Sequence, residues 1–299
     1  MADLNLSDRL RARLQRQLGM PIERRLRAPL RRMRNAGREY RPLFVTGASG
    51  SATSLLAVSL GQRFECAGVV YECDVQIGER SFLHVPALKT FASVAEYLAF
   101  IRPRGDWALE TGRADLQNMF RAYARFPGEV MVAKGPDIHL VRAQYLQRCF
   151  PEAHFVAIFR DPVANIEGLR RKWPLFGRDS LAEVIRFYRE IHEHFLAVAE
   201  RAPERFLLVD YDRFVEQTEE VLHALGGLLG LARTTRIDRT LHAPNVEGQG
   251  VRNVRNGRIS MVGDANQEAR QRLPAGEATT IEEALGPLLE RLRGASVTF

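Results

Sequence analysis

The sequence contains few of the residues that mark secreted, metal-binding or membrane-spanning chains. Only three of its 299 residues are cysteines, and they form no CxxC pair, so neither a disulfide framework nor a zinc site is expected. No apolar run reaches the roughly 20 residues that a membrane-spanning helix needs, and the first residues lack the apolar segment of a secretory signal. We therefore expect a cytoplasmic chain with reduced thiols and no metal centre.

Positive charge is concentrated at one end of the chain. The 43 Lys and Arg residues against 36 Asp and Glu leave a formal net charge of +7. Residues 1–41 hold twelve arginines and four acids, a net charge of +8, and the remainder has a net charge of −1. A body so close to neutral argues against nucleic acid as a partner of the fold itself. The sequence is accordingly divided into an N-terminal arm, residues 1–41, and an α/β domain, residues 42–299.

The N-terminal arm has the pattern of a basic amphipathic helix. Apolar residues recur at every fourth position between the arginines, at Leu6, Leu10, Leu14, Leu18, Ile22, Leu26 and Leu30. Gly19 and Pro21 are expected to divide the arm into two helices. Such an element either lies on an anionic membrane surface or a partner, or packs its leucines on the body and leaves its arginines in solvent. The pattern leaves both interpretations open.

From residue 42 onward, short apolar segments alternate with longer segments of helical period. The segments predicted to be buried strands are 42–46, 68–75, 129–134, 154–160 and 205–211. Helices are predicted at 55–60, 93–101, 113–126, 139–149, 162–173, 179–201, 215–229 and 279–293, and residues 244–276 are predicted to form a long loop. This alternation predicts an α/β fold of three layers, with a central, mostly parallel sheet covered by helices on both faces.

A loop of small residues follows the first predicted strand and precedes a helix. It runs Gly47-Ala48-Ser49-Gly50-Ser51-Ala52-Thr53-Ser54. Converging main-chain N–H groups and the positive end of a helix dipole make such a loop an anion site, and small side chains let the anion approach the backbone. A Walker A loop would end in Gly-Lys followed by Ser or Thr, whereas Ala52-Thr53 stands at that place. A P-loop kinase or NTPase is therefore the weaker alternative.

Five short motifs follow one another between residues 42 and 293. They are GASGSATSLL at 47–56, Lys134-Gly135-Pro136, FPEAHF at 150–155, Arg160-Asp161-Pro162 and Tyr211-Asp212-Arg213-Phe214. In this order they resemble GxPRSGTTLL, KSP or KTP, FPDARFV, RDPxxxxxS and YEDL of the sulfotransferases that use 3′-phosphoadenosine 5′-phosphosulfate (PAPS). The resemblance implies a P-loop NTPase-like (sulfotransferase) topology. It also implies transfer of the sulfuryl group of PAPS to a hydroxyl, which leaves 3′-phosphoadenosine 5′-phosphate (PAP).

Two positions depart from these motifs where the family normally contacts the nucleotide. Gly50 stands at the place of the loop arginine, and Gly168 stands at the place of the serine after the RDP motif. Either PAPS binds more weakly, or other groups compensate, or the chain is a non-catalytic binding protein built on a sulfotransferase fold. Glycine keeps its main-chain N–H, so Gly50 can still donate to an anion, and Lys134 is a possible substitute for the missing cation.

The resemblance also assigns roles to individual residues. It places the nucleotide against Ala48, Ser49, Gly50, Ser51, Ala52, Thr53, Ser54, Arg160, Gly168 and Arg258. Arg160 is expected to bind the 3′-phosphate, which distinguishes PAPS from ATP. Arg258 belongs, with Arg252 and Arg255, to the late basic segment that closes over the nucleotide in the family. Lys134 is expected to stabilise the departing phosphate oxygen, together with loop N–H groups and Ser51 or Thr53.

A base must take the proton of the acceptor hydroxyl, and Glu72 is the favoured candidate. In several branches of the family the catalytic carboxylate follows the phosphate loop by about twenty residues, and Glu72 lies 22 residues after Gly50. Partial burial of this carboxylate is expected in the apolar strand 68–75, and Asp74 would share its face if that strand is regular. The alternative base is His139, at a predicted helix start three residues after Pro136.

The sequence is least informative about the acceptor. The resemblance allows a carbohydrate, a lipid or a small alcohol or phenol, and pockets for such groups are built from loops. The basic arm weakly favours a glycolipid or another acceptor at a membrane surface. No metal is expected to be required, because a sulfuryl group carries less negative charge than a phosphoryl group.

Overall fold

The computed structural model describes residues 28–235 and 265–297, together with the backbone of 251–255 and 258–261. Its centre is a five-stranded sheet of order β2-β3-β1-β4-β5, in which every neighbouring pair is parallel. The strands are β1 (Arg41–Thr46), β2 (Gly68–Val70), β3 (Val130–Lys134), β4 (His154–Phe159) and β5 (Phe206–Asp210). A separate antiparallel hairpin consists of β6 (Val251–Arg255) and β7 (Arg258–Met261).

Fourteen α-helices and one short 3-10 helix, Leu88–Thr90, lie among the described residues. In chain order the α-helices are α1 (Ala28–Arg34), α2 (Thr53–Arg63), α3 (Cys73–Gln76), α4 (Val94–Ile101), α5 (Leu109–Tyr123), α6 (Ile138–Val141), α7 (Ala143–Cys149), α8 (Pro162–Lys172), α9 (Pro174–Arg178), α10 (Leu181–Ala199), α11 (Tyr211–Glu216), α12 (Thr218–Leu229), α13 (Ala265–Arg272) and α14 (Glu277–Gly294). None of these described helices combines the length and the apolar character needed to cross a membrane.

Alternate strand residues point to two helical layers. In β1, Phe44 belongs to the core shared with α4 to α10 and α14, while Val45 belongs to the core shared with α2, α11 and α12. In β4, Phe155 and Val156 divide in the same way. Because both faces of the sheet are buried, its strands consist of nearly continuous apolar residues, which is what made them visible in the sequence. The predicted three-layer α/β fold is confirmed.

Several predicted boundaries were wrong, and each error has a local cause. The strand predicted at 68–75 ends at Val70, because Glu72 adopts a left-handed conformation with φ 49° and α3 begins at the next residue. The helix predicted at 139–149 is divided into α6 and α7 at Arg142. The apolar pattern continues through both interruptions, so periodicity alone does not detect them.

The described part of the N-terminal arm lies against α5. Asn35, just after α1, donates from Nδ2 to the carbonyl oxygens of Arg121 at 2.9 Å and Ala124 at 3.2 Å. Leu30 is 67% exposed, so the last leucine of the predicted apolar stripe does not pack on the body. The other six stripe positions lie outside the described residues. The arm's function and the domain boundary at residue 41 remain predictions.

The prediction of a loop over 244–276 was wrong for the described part of that segment, which contains the hairpin and α13. Helix α13 has the sequence ANQEARQR and no apolar stripe, so helical periodicity could not detect it. Charged side chains attach it to α8 and the residue before α8. Arg270 Nη2 lies 3.1 Å from Asp161 Oδ2, and Arg272 Nε donates to Glu167 Oε1 at 2.9 Å.

Candidate active site

A cavity of about 300 Å³ lies at the carboxyl edge of the sheet. Strand β1 is central, with β3 on one side and β4 on the other, so the chain segments that follow β1 and its neighbours leave the sheet in opposite directions. Ligands of open α/β sheets bind in the crevice that forms at such a point. The wall is formed by parts of the loop 47–54, by side chains from segments 72–75, 85–88 and 134–138, and by Leu55, Tyr97, Arg160, Trp173 and Tyr211. Four of the five motif segments therefore meet in one place, and the exception is 150–155, which does not line the cavity.

The loop after β1 is folded tightly against the sheet. Gly47 has φ 151°, and a Cβ atom there would collide with the carbonyl oxygen of Ile158, so only glycine fits. Ser51 donates from its main-chain N–H and from Oγ to the carbonyl oxygen of Ala48, at 3.0 and 2.6 Å. The hydroxyl of Ser51 is therefore directed into the loop. Neither Ser51 nor Ala48 is among the residues that line the cavity, in contrast to Ser49, Gly50, Ala52, Thr53 and Ser54.

The open side of the loop presents main-chain donors. Helix α2 begins at Thr53, and the first N–H groups of a helix have no acceptor within it. Within the described part of the chain, the N–H groups of Gly50 and Ala52 have no hydrogen-bond acceptor either. Gly50, Ala52 and Thr53 all line the cavity, so their N–H groups and the helix dipole give the loop the donors and partial positive charge that suit an anion.

Ala52 adopts a left-handed conformation, with φ 73° and ψ 25°. This conformation costs a residue with a Cβ atom about 1–2 kcal/mol, and the family loop has glycine here. We expect Ala52→Gly to raise the free energy of unfolding by about 0.5–1 kcal/mol, after allowing for the greater entropy of glycine in the unfolded chain. Urea titration measures the change. Ala99→Gly on the exposed face of α4 is the control and should lose about 1 kcal/mol; a loss at both positions contradicts the strain at Ala52.

Asp137 ties the loop to the segment after β3. Its Oδ1 accepts from the main-chain N–H of Ser49 at 2.7 Å, and its Oδ2 accepts from Ser49 Oγ at 2.6 Å and from the Tyr97 hydroxyl at 3.3 Å. Burial raises the pKa of Asp137 to about 6, although these three donors oppose the rise. The N–H and hydroxyl of Ser49 are thus engaged within the protein, and Ser49 shapes the loop.

Lys134 and Glu72 meet beside the loop. Lys134 ends β3 and is buried, and its Nζ contacts Glu72 Oε1. Glu72 is the residue directly before α3, its side chain makes no capping hydrogen bond to that helix, and the side chain is 43% exposed. Its expected position within an apolar strand was therefore wrong. The structure brings Glu72 and Lys134 together in the cavity wall, as the assignment of both to the reaction requires.

Asp74, two residues after Glu72, is more deeply buried. It lines the cavity with 8% of its surface exposed, and Oδ1 has no hydrogen-bond partner. Burial raises its pKa to about 7, and the nearby charge of Glu72 adds to the rise. The expectation that both carboxylates share the face of one strand fails because α3 begins between them. Both nevertheless reach the same cavity.

Arg160 follows β4 directly and lines the cavity on the side opposite Lys134. Its guanidinium carbon lies 4.8 Å from the centre of the Tyr211 ring, and Nε donates to Asn266 Oδ1 at 3.1 Å. Asn266, in α13, donates in turn to Asp212 Oδ1 at 2.9 Å. Helix α13 therefore orients the guanidinium. The sequence offered no signal for Asn266, because the segment around it has no periodicity.

His139 is not brought to the cavity. Its ring is buried in the core 5.0 Å from the ring of Phe44, in an edge-to-face arrangement, and is not part of the cavity wall. Burial lowers its pKa to about 3, and the charges of Arg142 and Lys134 add to the effect. This placement argues against His139 as the base. The error arose because the side chain of Ile138, the first residue of α6, lines the cavity, whereas that of the next residue, His139, is buried in the core.

The two glycine departures have different surroundings. A Cβ atom on Gly50 would point toward Asn165 Nδ2 at 3.5 Å and the Trp173 ring at 3.7 Å, and the backbone has φ 87°. Gly168, in α8, does not line the cavity, and a Cβ atom there would meet nothing within 4 Å beyond its own helix. Lys172 lies one turn after Gly168, with Nζ 5.9 Å from the centre of the Trp173 ring. The side chain of Arg258 lies outside the described residues.

The sequence also did not reveal that Lys172 lacks an ion-pair partner among the described residues or that Asn165 contacts the loop. Among the described residues Lys172 has no ion-pair partner, and its pKa is lowered to about 8 by burial and by the charges of Arg171 and Arg160. Asn165 is fully buried and donates from Nδ2 to the carbonyl oxygen of Ser49 at 3.1 Å. The spacing of Asn165 and Lys172 within α8 was visible in the sequence, but the contact of Asn165 with the loop was not.

The fold and the cavity define an α/β protein in which a loop rich in main-chain donors links the central strand to the following helix. Residues 42–235, more than half of the chain, match the model of the family described as "Sulfotransferase family", and the chain belongs to that family. The suspected family is thus confirmed. No curated protein matches the sequence significantly.

Several solved sulfotransferases are similar to this chain at low identity. Sulfotransferase STF9 from Mycobacterium avium is 13% identical, with a TM-score of 0.48 over 89% of this chain and 81% of that one. A sulfotransferase from Alicyclobacillus acidocaldarius is 16% identical, with a TM-score of 0.48 over 85% and 95%. Mouse sulfotransferase SULT7A1 complexed with PAP is 12% identical, with a TM-score of 0.43 over 86% and 89%. The family assignment depends on the family model and not on these neighbours.

Proposed function

We propose that the chain transfers the sulfuryl group of PAPS to a hydroxyl of a small-molecule, carbohydrate or lipid acceptor by in-line displacement. One observation carries the proposal. The N–H groups of the loop, Lys134 and Arg160 converge on a single cavity that also contains carboxylates able to take a proton. Anion donors, a cation at a strand end and a base are what this transfer requires of a protein.

We assign the cations on the two sides of the loop to different phosphates of the donor. Arg160, beside the buried ring of Tyr211, presents a planar guanidinium suited to a phosphate, and we assign it to the 3′-phosphate. Lys172 lies near Arg160 without a carboxylate partner among the described residues, and we assign it to the same phosphate in place of the serine absent at Gly168. Lys134, at the end of β3, is assigned to the leaving phosphate oxygen.

The loop amides hold the sulfate-bearing end of the donor. The N–H groups of Gly50, Ala52 and Thr53 are main-chain donors and need no basic side chain at position 50. The positive φ of Gly50 would strain an arginine there, so this loop depends on its backbone. This supports a PAPS site despite the departure from the family motif.

Nucleotide selectivity tests the proposal. PAP, ATP, ADP and NAD are titrated into the full chain by calorimetry, with EDTA and then with magnesium. We expect PAP to bind without magnesium at least about tenfold more tightly than the others, because only PAP offers a 3′-phosphate to Arg160. Magnesium-dependent preference for ATP would instead support a kinase or NTPase. PAP binding without transfer from labelled PAPS to any acceptor in a broad panel would support a non-catalytic binding protein.

A peripheral membrane contact of the N-terminal arm is a further part of the proposal. Leu30 and Met33 in α1 are 67% and 75% exposed. Arg31, Arg32 and Arg34 lie on the same short helix. Exposed apolar residues among arginines suit an anionic membrane surface. This arrangement would bring a lipid-bound acceptor close to the enzyme.

A further inference from the structure

The two sides of the cavity differ because they belong to different strands. The loop after β1 lies at the centre of the sheet, Arg160 and Tyr211 follow β4 and β5 on one side, and Lys134 follows β3 on the other. Segment 72–75 follows β2, next to β3. If the nucleotide binds on the Arg160 side, as proposed above, then the acceptor binds on the β2–β3 side.

The wall of the β2–β3 side is mainly apolar. Its apolar members are Val75, Val85, Pro86, Ala87, Leu88, Pro136 and Ile138. Among the described residues that line this side, the single cation is Lys134, and it contacts Glu72. An anionic acceptor would find no unpaired positive charge here and would meet Asp74 and Asp137. An uncharged alcohol or phenol would bury its apolar body against this wall at a gain of about 25 cal/mol per Å².

Two carboxylates on this side of the cavity, Glu72 and Asp74, differ in their exposure and in their partners. Glu72 is half-exposed and contacts Lys134. Asp74 is more than nine-tenths buried, and its Oδ1 has no hydrogen-bond partner, although the residue lines the cavity. A buried carboxylate oxygen without a donor makes the ionised form costly, so Asp74 has a raised affinity for a proton. Because Asp74 lines the cavity, a bound acceptor hydroxyl can give it that proton there.

The groups that face Asp74 come from four parts of the fold. They are Glu72 and Cys73 before it, Tyr97 in α4, Lys134 at the end of β3, and Arg142 between α6 and α7. Burial raises the pKa of Asp74 to about 7, Glu72 adds to the rise, and Arg142 and Lys134 oppose it. Arg142 directs Nε and Nη1 to the carbonyl oxygens of Ile101 and Leu83, both at 2.8 Å.

We propose that Asp74, rather than Glu72, takes the proton of an uncharged, apolar alcohol or phenol bound on the β2–β3 side. The inference rests on the proposed sulfotransferase function. The acceptor oxygen forms a bond to sulfur while the bond between sulfur and the bridging phosphate oxygen breaks. The electron pair of that bond remains on the phosphate oxygen of PAP, and the hydroxyl proton passes to Asp74. Glu72 positions Lys134 and raises the proton affinity of Asp74.

Matched carboxylate variants test the assignment of the base. Transfer from PAPS to 2-naphthol is measured from pH 5.5 to 8.5 for wild type, Asp74→Asn, Glu72→Gln and the exposed control Asp106→Asn. We expect wild-type kcat to rise with pH through about 7 and then to level, since the base acts deprotonated. Asp74→Asn should lower kcat about 100-fold, with the Kd for PAP changed less than about threefold.

The Glu72→Gln variant separates the two candidates. If Asp74 is the base, removal of the Glu72 charge leaves measurable turnover and moves the acid limb to lower pH, because that charge raises the pKa of Asp74. If Glu72→Gln abolishes transfer while Asp74→Asn retains it, the assignment to Asp74 is overturned. Failure of the wild type to bind PAP would instead overturn the sulfotransferase proposal on which the assignment rests.

A stability measurement checks the buried carboxylate without any turnover. The pKa of Asp74 is raised in the folded state, so this carboxyl ionises at lower pH in the unfolded chain than in the folded one. The free energy of unfolding therefore falls as the pH rises from about 4 to 7. Asp74→Asn should therefore raise Tm at pH 8 by about 3–5 °C relative to wild type and have little effect at pH 4.5. An equal change at both pH values would show that Asp74 does not carry a raised pKa.

The acceptor class is tested with a pair that differs in one charge. 2-Naphthol and 6-hydroxy-2-naphthoate present the same hydroxyl on the same ring system. We expect kcat/KM for the carboxylate to be at least about tenfold lower, because it must be desolvated beside Asp74 and Asp137. Comparable turnover of both compounds overturns the uncharged class. Turnover of neutral sugars but not of 2-naphthol, or of no compound by a chain that binds PAP, overturns the apolar class.

Discussion

An Arg160→Ala variant is expected to bind PAP about 100–1000-fold more weakly than the wild type. Arg160 is 9% exposed and lies at the cavity beside the Tyr211 ring, so its contact with a phosphate would be largely desolvated. Removing one partner of a buried charged pair costs about 2–5 kcal/mol. The apparent KM for PAPS should rise far more than kcat falls, because the 3′-phosphate is distant from the reacting sulfur in the molecule.

Two further variants make the Arg160 result interpretable. Arg160→Lys keeps the charge but loses the planar fork, so it should recover only part of the affinity. Arg186→Ala removes an exposed arginine that pairs with Glu183 on α10 and should bind PAP as the wild type does. Calorimetry gives the three dissociation constants. Wild-type affinity in Arg160→Ala would remove this residue from the nucleotide site.

A Lys134→Met variant is expected to lower kcat about 100–1000-fold while changing the Kd for PAP by less than about tenfold. Lys134 is buried at the end of β3, and a fixed cation at the departing oxygen acts mainly when charge develops there. Loss of one such donor costs roughly this factor in other enzymes. Single-turnover kinetics with saturating PAPS separates the transfer step from product release.

The matched control for this variant is Lys89→Met. Lys89 is an exposed lysine beside the apolar wall residue Leu88 but does not itself line the cavity. The Lys89→Met substitution removes the same charge near the site and should leave kcat within about twofold of the wild-type value. Equal losses in both variants would indicate a general electrostatic effect. A normal kcat in Lys134→Met would mean that the leaving oxygen is stabilised by the loop alone.

The strands could be predicted because their physical signal is local. Buried parallel strands are nearly unbroken apolar runs, and all five appear where such runs occur, with ends displaced by up to five residues. Lys134 and Arg160 could be placed at one edge for the same reason, since each ends or directly follows a strand. Helix α13 could not be predicted, because ion pairs to distant residues hold it rather than an apolar stripe.

The finer contacts of the site depend on side-chain direction, which the sequence does not encode locally. Asp137 reaches Ser49 across 88 positions, and Asn266 reaches Arg160 across 106. His139 was expected to face the cavity, but its ring packs against Phe44 instead. Asp74 was considered only as a neighbour of Glu72 on one strand. The sequence does not show that the strand has ended before Asp74, because the break depends on the left-handed backbone conformation of Glu72.

The two hydrogen bonds from Ser49 to Asp137 limit which other loop sequences can replace residues 47–54. The related loop pattern has proline at the position of Ser49, and proline has neither a hydroxyl nor a main-chain N–H to offer. Transplanting that pattern here would strip Asp137 of two of its three donors and leave a buried carboxylate facing an apolar ring. Positions 49 and 137 therefore have to change together, and a graft that alters only one of them should fold poorly.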